Sequence, residues 1–338
     1  MKYGFFDIKE SWEKKMINKA LKKEDVVFFD GTVQDADPKD LKQLDVVSVF
    51  VGSLLDSENL KKMPKLKLVA TRSTGFDHID VKYCKNNKIA VSYVPFYGEN
   101  TVAEFAFALM IAISRNVIDS VHRVKTGSFS FAGLRGFDLK DKTVGIMGFG
   151  HIGQKFAKMC KGFDMKVLAY DPFSEKLQPV ADEIGVKFCT IEDIMKKSNI
   201  ISLHMPLNKE TKHILNKNTL EMAKQGLIII NTARGGLIET RALINALDSG
   251  KVVFAAIDVL EGENDLKDEL HFLERNYKDL NAYQTLIENH ELMRRHNVYI
   301  TPHNAFNTKE ALERIMQTTL LNIVAFSQKK ELLNPVKL

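Results

Sequence analysis

Three side chains able to grip an anion and move a proton stand just beyond apolar runs in the second half of the chain. Arg234 lies in Thr232-Ala233-Arg234-Gly235-Gly236, after the run 227–231. Glu263 closes Asp258-Val259-Leu260-Glu261-Gly262-Glu263, after 253–257, and His303 follows Pro302 after 298–301. A guanidinium can hold a carboxylate through two parallel hydrogen bonds. An imidazole exchanges a proton near neutral pH, and a carboxylate beside it fixes the ring and favours its charged form. Delivery of a hydride to a keto acid requires groups of these kinds. Taken singly, each has a plainer reading. Arg234 could cap a sheet edge, His303 could be a turn residue bonded to backbone, and Glu263 could be a solvated member of an acidic run.

A fourth feature gives these groups a partner. The run Val144 to Met147 leads into Gly148, Gly150 and Gly153, then a helical pattern from Gln154 to Cys160, then a second run, Val167 to Tyr170, ending on Asp171. Strand, glycine turn, helix and acid-closed strand make a dinucleotide-binding unit. Gly148 permits the tight turn, Gly150 lets the backbone approach a pyrophosphate, and Gly153 lets the helix pack on the strand. The helix N-terminus offers N–H groups and partial positive charge to phosphates. Asp171 follows the first glycine by roughly twenty residues, where a carboxylate can bind a ribose hydroxyl pair and repel a 2′-phosphate. NAD is therefore favoured over NADP. A glycine-bearing turn of no function would explain the turn but not the acid that closes the second strand.

The elements that position these groups follow from alternating apolar and amphipathic stretches. The first part predicts strands at 3–7, 26–30, 46–51, 66–71 and 89–93, with helical stretches such as 11–22 and 81–87 between them. Such βα alternation implies a parallel sheet covered on both faces. Pro95 and Gly98 punctuate the chain, Asn100 is a candidate cap, and a helix is expected over 101–115. The second part predicts six strands, at 143–147, 166–170, 200–203, 227–231, 253–258 and 298–301, and a closing helix over 309–327. The expected organisation is a nucleotide-binding domain, 100–303, inserted into a first domain of 1–99 and 304–338. The chain would cross the cleft between them near residues 100 and 303.

Composition narrows the class. The chain has 338 residues, 45% hydrophobic and 27% charged, with a formal net charge of +5. Its lysines are scattered, as on solvated helix faces, and no nucleic-acid partner is expected. Cys84, Cys160 and Cys189 show neither a disulfide framework nor zinc spacing, which suits a cytoplasmic setting and no metal. The opening MKYGFFDIKESWEKK lacks the apolar core of a signal peptide. The apolar stretch 102–113 contains Glu104 and is short for a bilayer, so it is read as a buried helix between domains.

The ordered strings RSTGFDHID (72–80), NTVAEFAFALM (100–110), GFGHIG (148–153), SLHMPL (202–207), NTARGG (231–236), DVLEGE (258–263) and TPHNAF (301–306) resemble the D-2-hydroxyacid dehydrogenases over nearly the whole chain. That resemblance implies a Rossmann doubly wound parallel sheet inserted into a flavodoxin-like α/β substrate domain. It implies that Arg234 binds the substrate carboxylate and polarises the keto oxygen, and that His303 is the acid/base, paired with Glu263. It places cofactor contacts at Thr101, Gly148, Gly150, His151, Ile152, Gly153, Asp171, Met205, Pro206, Thr232, Ala233, Arg234 and Asp258. Thr74 and Gly75 would help hold the substrate. Met205 and Pro206 have strand-end packing as an alternative.

Tyr97 and Phe306 match aromatic residues that the D-lactate dehydrogenases set against the substrate, although interdomain packing would explain them equally. The long stretch after Asp258 looks like an insertion of one or two helices in that subgroup. Gly98-Glu99 departs from the Ser-Pro common there, and the regulatory tail of many phosphoglycerate dehydrogenases is absent. Glu263, rather than Gln, disfavours formate oxidation. The expected reaction is reduction of pyruvate by NADH to the D-hydroxy acid, with no membrane partner and a homodimer through the second domain, for which 102–113 and its continuation are candidate interface. A broader specificity for 2-ketobutyrate, phenylpyruvate, hydroxypyruvate or glyoxylate is the alternative within the family. An NAD(H)-sensing interaction protein is the alternative outside it.

Overall fold

The computed structural model describes residues 1–263, 266 and 280–337. Its chain falls into two compact units, Met1–Tyr97 with Asn307–Leu338, and Gly98–Phe306. The first unit runs β1 (Lys2–Phe6), α1 (Ser11–Ala20), β2 (Asp25–Phe29), α2 (Pro38–Leu41), β3 (Val46–Val49), α3 (Ser57–Lys61), β4 (Leu68–Thr71), α4 (Val81–Asn86) and β5 (Ala90–Ser92). The strands pair in parallel in the order β2-β1-β3-β4-β5, a flavodoxin-like winding. β3 and β4 are buried along their whole length because both faces of the sheet are covered. Successive residues point to opposite faces. Phe6, Val47, Val69 and Val91 therefore join one core, and Tyr3, Phe5, Val46 and Leu68 join the other.

At the end of β4, Arg72 is 4% exposed. It donates to the carbonyl oxygens of Phe6 at 2.6 Å and Ser48 at 3.2 Å, and to Ser48 Oγ at 3.2 Å. The buried guanidinium thus joins the ends of three strands and fixes the start of the loop holding Thr74 and Gly75. Burial lowers its pKa to about 10.

The second unit continues with α5 (Glu99–Ser114), α6 (Val117–Lys125), β6 (Thr143–Met147), α7 (His151–Gly162), β7 (Lys166–Tyr170), α8 (Ser174–Ile184), β8 (Lys187–Phe188), α9 (Ile191–Lys197) and β9 (Ile200–Leu203). It then runs α10 (Lys217–Glu221), β10 (Leu227–Asn231), α11 (Thr240–Asp248), β11 (Val252–Ile257), α12 (Leu280–Met293) and β12 (Val298–Ile300). The final helix, α13 (Lys309–Ser327), belongs to the first unit, where Met316, Leu320 and Ile323 pack with Tyr3 and Phe5. The second sheet is parallel and ordered β12-β11-β10-β9-β6-β7-β8. This is the doubly wound Rossmann order, with its switch point between β6 and β9.

Three sequence expectations need correction. Among the described residues the sheet has seven strands rather than six, because the edge strand β8 is only two residues long and leaves no apolar run to read. Asn100 is not the helix cap: α5 begins at Glu99 with Gly98 at its N-cap, and Asn100 donates instead to the Glu104 carboxylate one turn on. The apolar residues of α5 lie in the core of their own unit, where Phe107 meets Phe156 and Phe163 edge-on. Of the expected insertion, 280–293 is helical, while 264–265 and 267–279 lie outside the described residues. Among the described residues, no single helix is long and apolar enough to cross a membrane.

Candidate active site

The glycine turn sits where the sheet order reverses. Gly148 has φ +95°, and a Cβ there would lie 2.6 Å from the His204 carbonyl oxygen, so only glycine fits. A Cβ on Gly153 would lie 2.2 Å from the Gly148 carbonyl oxygen, which is why the helix can sit so close to the turn. At Gly150 the Cβ direction is open, with no atom within 4 Å. That is the face a pyrophosphate must approach. α7 starts at His151 with Gly150 at its N-cap and no side chain capping it. His151 Nδ1 lies 3.4 Å from Glu99 Oε1, which sets a carboxylate beside the turn.

Asp171, just beyond β7, accepts hydrogen bonds from Phe149 N at 2.8 Å and Phe173 N at 2.9 Å. Its carboxylate is thereby aimed before any ligand arrives. A cavity of about 470 Å³ opens beside it, lined in part by Tyr170, Asp171, Phe188, Cys189 and Thr190. Thr232 Oγ1 is buried without a hydrogen-bond partner among the described residues, a cost that a bound polar ligand would remove. Ala233 lies beside it, partly buried. Thr101 is buried in the first turn of α5, and Ile152 packs on the core beneath α7. Met205 is itself a core side chain, as its packing alternative supposes, whereas Pro206 is exposed and its carbonyl accepts from Thr211 Oγ1 at 2.6 Å. The open glycine face, the aimed carboxylate and the unsatisfied threonine fit a dinucleotide.

Asp258, beyond β11, organises the neighbouring turn. Its Oδ1 accepts from Thr301 Oγ1 at 2.5 Å and Asn304 N at 2.8 Å, and its Oδ2 accepts from Ala305 N at 2.8 Å. Burial pushes its carboxyl pKa up against the opposing pull of these donors. His303 N donates to the Asp258 carbonyl at 2.9 Å, and His303 is held at φ +52°, in the left-handed region. The clamped turn sets His303 Nδ1 2.7 Å from Glu263 Oε1, with both side chains about a quarter exposed. The Phe306 ring lies edge-on to the imidazole, 6.3 Å between centroids.

Arg234 is placed by an asparagine. Asn231, buried at the end of β10, donates through Nδ2 to the Arg234 carbonyl at 2.9 Å and accepts through Oδ1 from Ala233 N at 3.0 Å. The Arg234 guanidinium donates to the Ala233 carbonyl at 2.8 Å. Arg234, Glu263 and His303 therefore follow β10, β11 and β12, which are neighbours in the sheet. Asn231 and Thr301 fall within the strings NTARGG and TPHNAF, but their positioning roles carry no signal of their own: Asn231 is one buried polar residue bonding the turn beside it, and the acid that Thr301 binds is 43 residues away. The remaining residues lie in the first unit. There Thr74 Oγ1 donates to the Val94 carbonyl at 2.8 Å, and the Gly75 carbonyl accepts from Ser73 Oγ at 2.6 Å. The Tyr97 carbonyl accepts from Arg314 Nε at 2.9 Å. Among the described residues, no cluster of three or more His, Cys, Asp or Glu side chains is placed to hold a metal.

Residues 107–305, more than half of the chain, match the family "D-isomer specific 2-hydroxyacid dehydrogenase, NAD binding domain". The chain belongs to this family of NAD-dependent oxidoreductases. It is 36% identical over 299 residues to D-lactate dehydrogenase of Escherichia coli K12, covering 88% of this chain and 87% of that one. It is 34% identical over 296 residues to glyoxylate reductase of Thermococcus litoralis, covering 85% and 82%. Among solved structures, D-lactate dehydrogenase from Aquifex aeolicus, complexed with NAD and lactic acid, superimposes with a TM-score of 0.86 at 35% identity, covering 97% of this chain and 96% of that one.

Proposed function

We propose that this protein is a D-lactate dehydrogenase, reversibly reducing pyruvate with NADH. The observation that carries the reading is the His303–Glu263 pair, one strand from the Arg234 turn in a sheet whose switch point bears the glycine turn. NADH, when bound, supplies the hydride. Arg234 grips the carboxylate of the keto acid and polarises its keto oxygen. His303 delivers the proton to that oxygen through Nε2, because Nδ1 is taken up by Glu263. Glu263 holds the ring and balances its charge when protonated. The cofactor is held by the glycine turn, His151, Ile152, Met205, Pro206, Thr232, Ala233 and Asp258, with Asp171 on the ribose and Thr101 near the nicotinamide side. Substrate contacts from Thr74, Gly75, Tyr97 and Phe306 complete the reading, on the family resemblance.

The protein acts as a homodimer in this account. Its support is the open apolar side of α6, Val117, Ile118, Val121 and Val124, with Phe129 and Phe131 beyond it. All three cysteines are unpaired, in keeping with a cytoplasmic setting. The relative that is a glyoxylate reductase keeps a broader specificity as the second reading. NADH oxidation across pyruvate, 2-ketobutyrate, phenylpyruvate, hydroxypyruvate and glyoxylate decides between them. The highest kcat/KM is expected on pyruvate. A higher value on another acid moves the assignment to that substrate, and no turnover on any would favour an NAD(H)-sensing role.

A further inference from the structure

We propose that His213 and Glu261 form a second histidine–carboxylate pair that does not react but fastens the Arg234 loop to the Glu263 loop. The proposal rests on the roles assigned above to Arg234, Glu263 and His303. His213 Nε2 lies 2.6 Å from Glu261 Oε1, with the two side chains 33% and 22% exposed. The other carboxylate oxygen, Oε2, accepts from Thr240 Oγ1 at 2.9 Å, at the start of α11. The Glu261 carbonyl accepts from Asn289 Nδ2 at 2.8 Å, and Asn289 on α12 is 1% exposed. With both oxygens engaged by protein, Glu261 is a positioning residue, and Glu263 follows it two residues later.

His213 is equally tied to the arginine side. Its backbone N–H donates to the Gly236 carbonyl at 2.8 Å, Leu215 N donates to the Leu237 carbonyl at 3.1 Å, and Glu239 N donates to the Leu215 carbonyl at 2.9 Å. The segment 213–215 is thus laid along the residues that follow Arg234. His213 is also held at φ +53°, a strained region for a residue with a side chain, as a fixed anchor requires. The two loops meet directly as well, since a Cβ on Gly235 would lie 2.0 Å from the Leu260 carbonyl carbon. Backbone lies on backbone there, and the short charge-assisted pair holds it. One clasp therefore governs both the aim of Arg234 and the position of Glu263 against His303.

The test uses the full chain with His213→Ala, His213→Gln, Thr240→Val and His303→Ala, reading kcat and KM for pyruvate and, by fluorescence, NADH affinity. His213→Ala should lower kcat/KM by about 100-fold, raising KM and lowering kcat together, because small displacements of reacting groups cost on that order. NADH affinity should stay within about twofold, since the clasp does not touch the glycine turn. His213→Gln, whose amide can still donate to Glu261, should recover most of the loss. Thr240→Val should give a smaller loss of the same kind. A His213→Ala enzyme within about twofold of wild type overturns the proposal while an inactive His303→Ala leaves the functional reading standing. Loss of NADH binding in step with turnover, without rescue by glutamine, overturns it in favour of a general folding role. A wild-type protein that reduces no keto acid removes the functional reading, and this proposal with it.

Discussion

The planar fork of Arg234 and the second ring nitrogen of His303 are asked to do different work, and substitution should separate them. Arg234→Lys replaces two parallel hydrogen bonds by a point charge, so the KM for pyruvate should rise by at least about tenfold in steady-state assays. An unchanged KM and kcat would exclude Arg234 as the carboxylate anchor. His303→Ala removes the proton donor without touching the glycine turn. NADH titration should be unchanged while kcat falls by roughly 100- to 10,000-fold, the usual contribution of a positioned acid. Normal turnover in this variant would rule His303 out as the acid. The strand-end positions of these residues were legible because each follows an apolar run. Their second layer was not. Asn231 is one buried polar residue that shapes the Arg234 turn beside it, and Thr301 is a polar residue whose partner, Asp258, only folding supplies.

Elements place these residues through their ends. β9 illustrates the cost, because it leads into His204, whose carbonyl packs against Gly148 and whose ring nitrogen Nδ1 is buried. His204 Nε2 bonds Ser202 Oγ at 2.8 Å, while Nδ1 has no partner among the described residues. Burial lowers its pKa from 6.5 to about 3. Between those values the unfolded chain binds a proton that the folded chain refuses. This contribution is therefore complete above pH 6.5 and is lost as pH falls toward 3. Thermal melts across that window should show a shallower acid loss for His204→Asn than for wild type, and parallel curves would contradict the assignment. Most elements were legible from the sequence, since a strand buried on both faces reads as an apolar run, and α13 spans the predicted residues. β8 was not, being two residues at an edge. Nor was the start of α5, where Gly98 rather than a polar side chain precedes the helix.

For the whole molecule, the open side of α6 and the exposed Phe129 and Phe131, at 91% and 88%, are more apolar surface than one chain has use for. A second copy of the chain is the occupant this account supplies. Light scattering should give the mass of a dimer for wild type and a shift toward monomer for Phe131→Asp; a monomeric wild type would contradict it. The two windings were readable as alternating βα units, and the Rossmann half was readable from Gly148, Gly150, Gly153 and Asp171. What the fold family leaves open is the acid that is reduced, because relatives of similar identity include a D-lactate dehydrogenase and a glyoxylate reductase. The most direct measurement is the chirality and yield of product when the purified protein is mixed with NADH and pyruvate. The account predicts D-lactate formed one-for-one with the NADH consumed. L-Lactate, or no consumption of NADH, would contradict it.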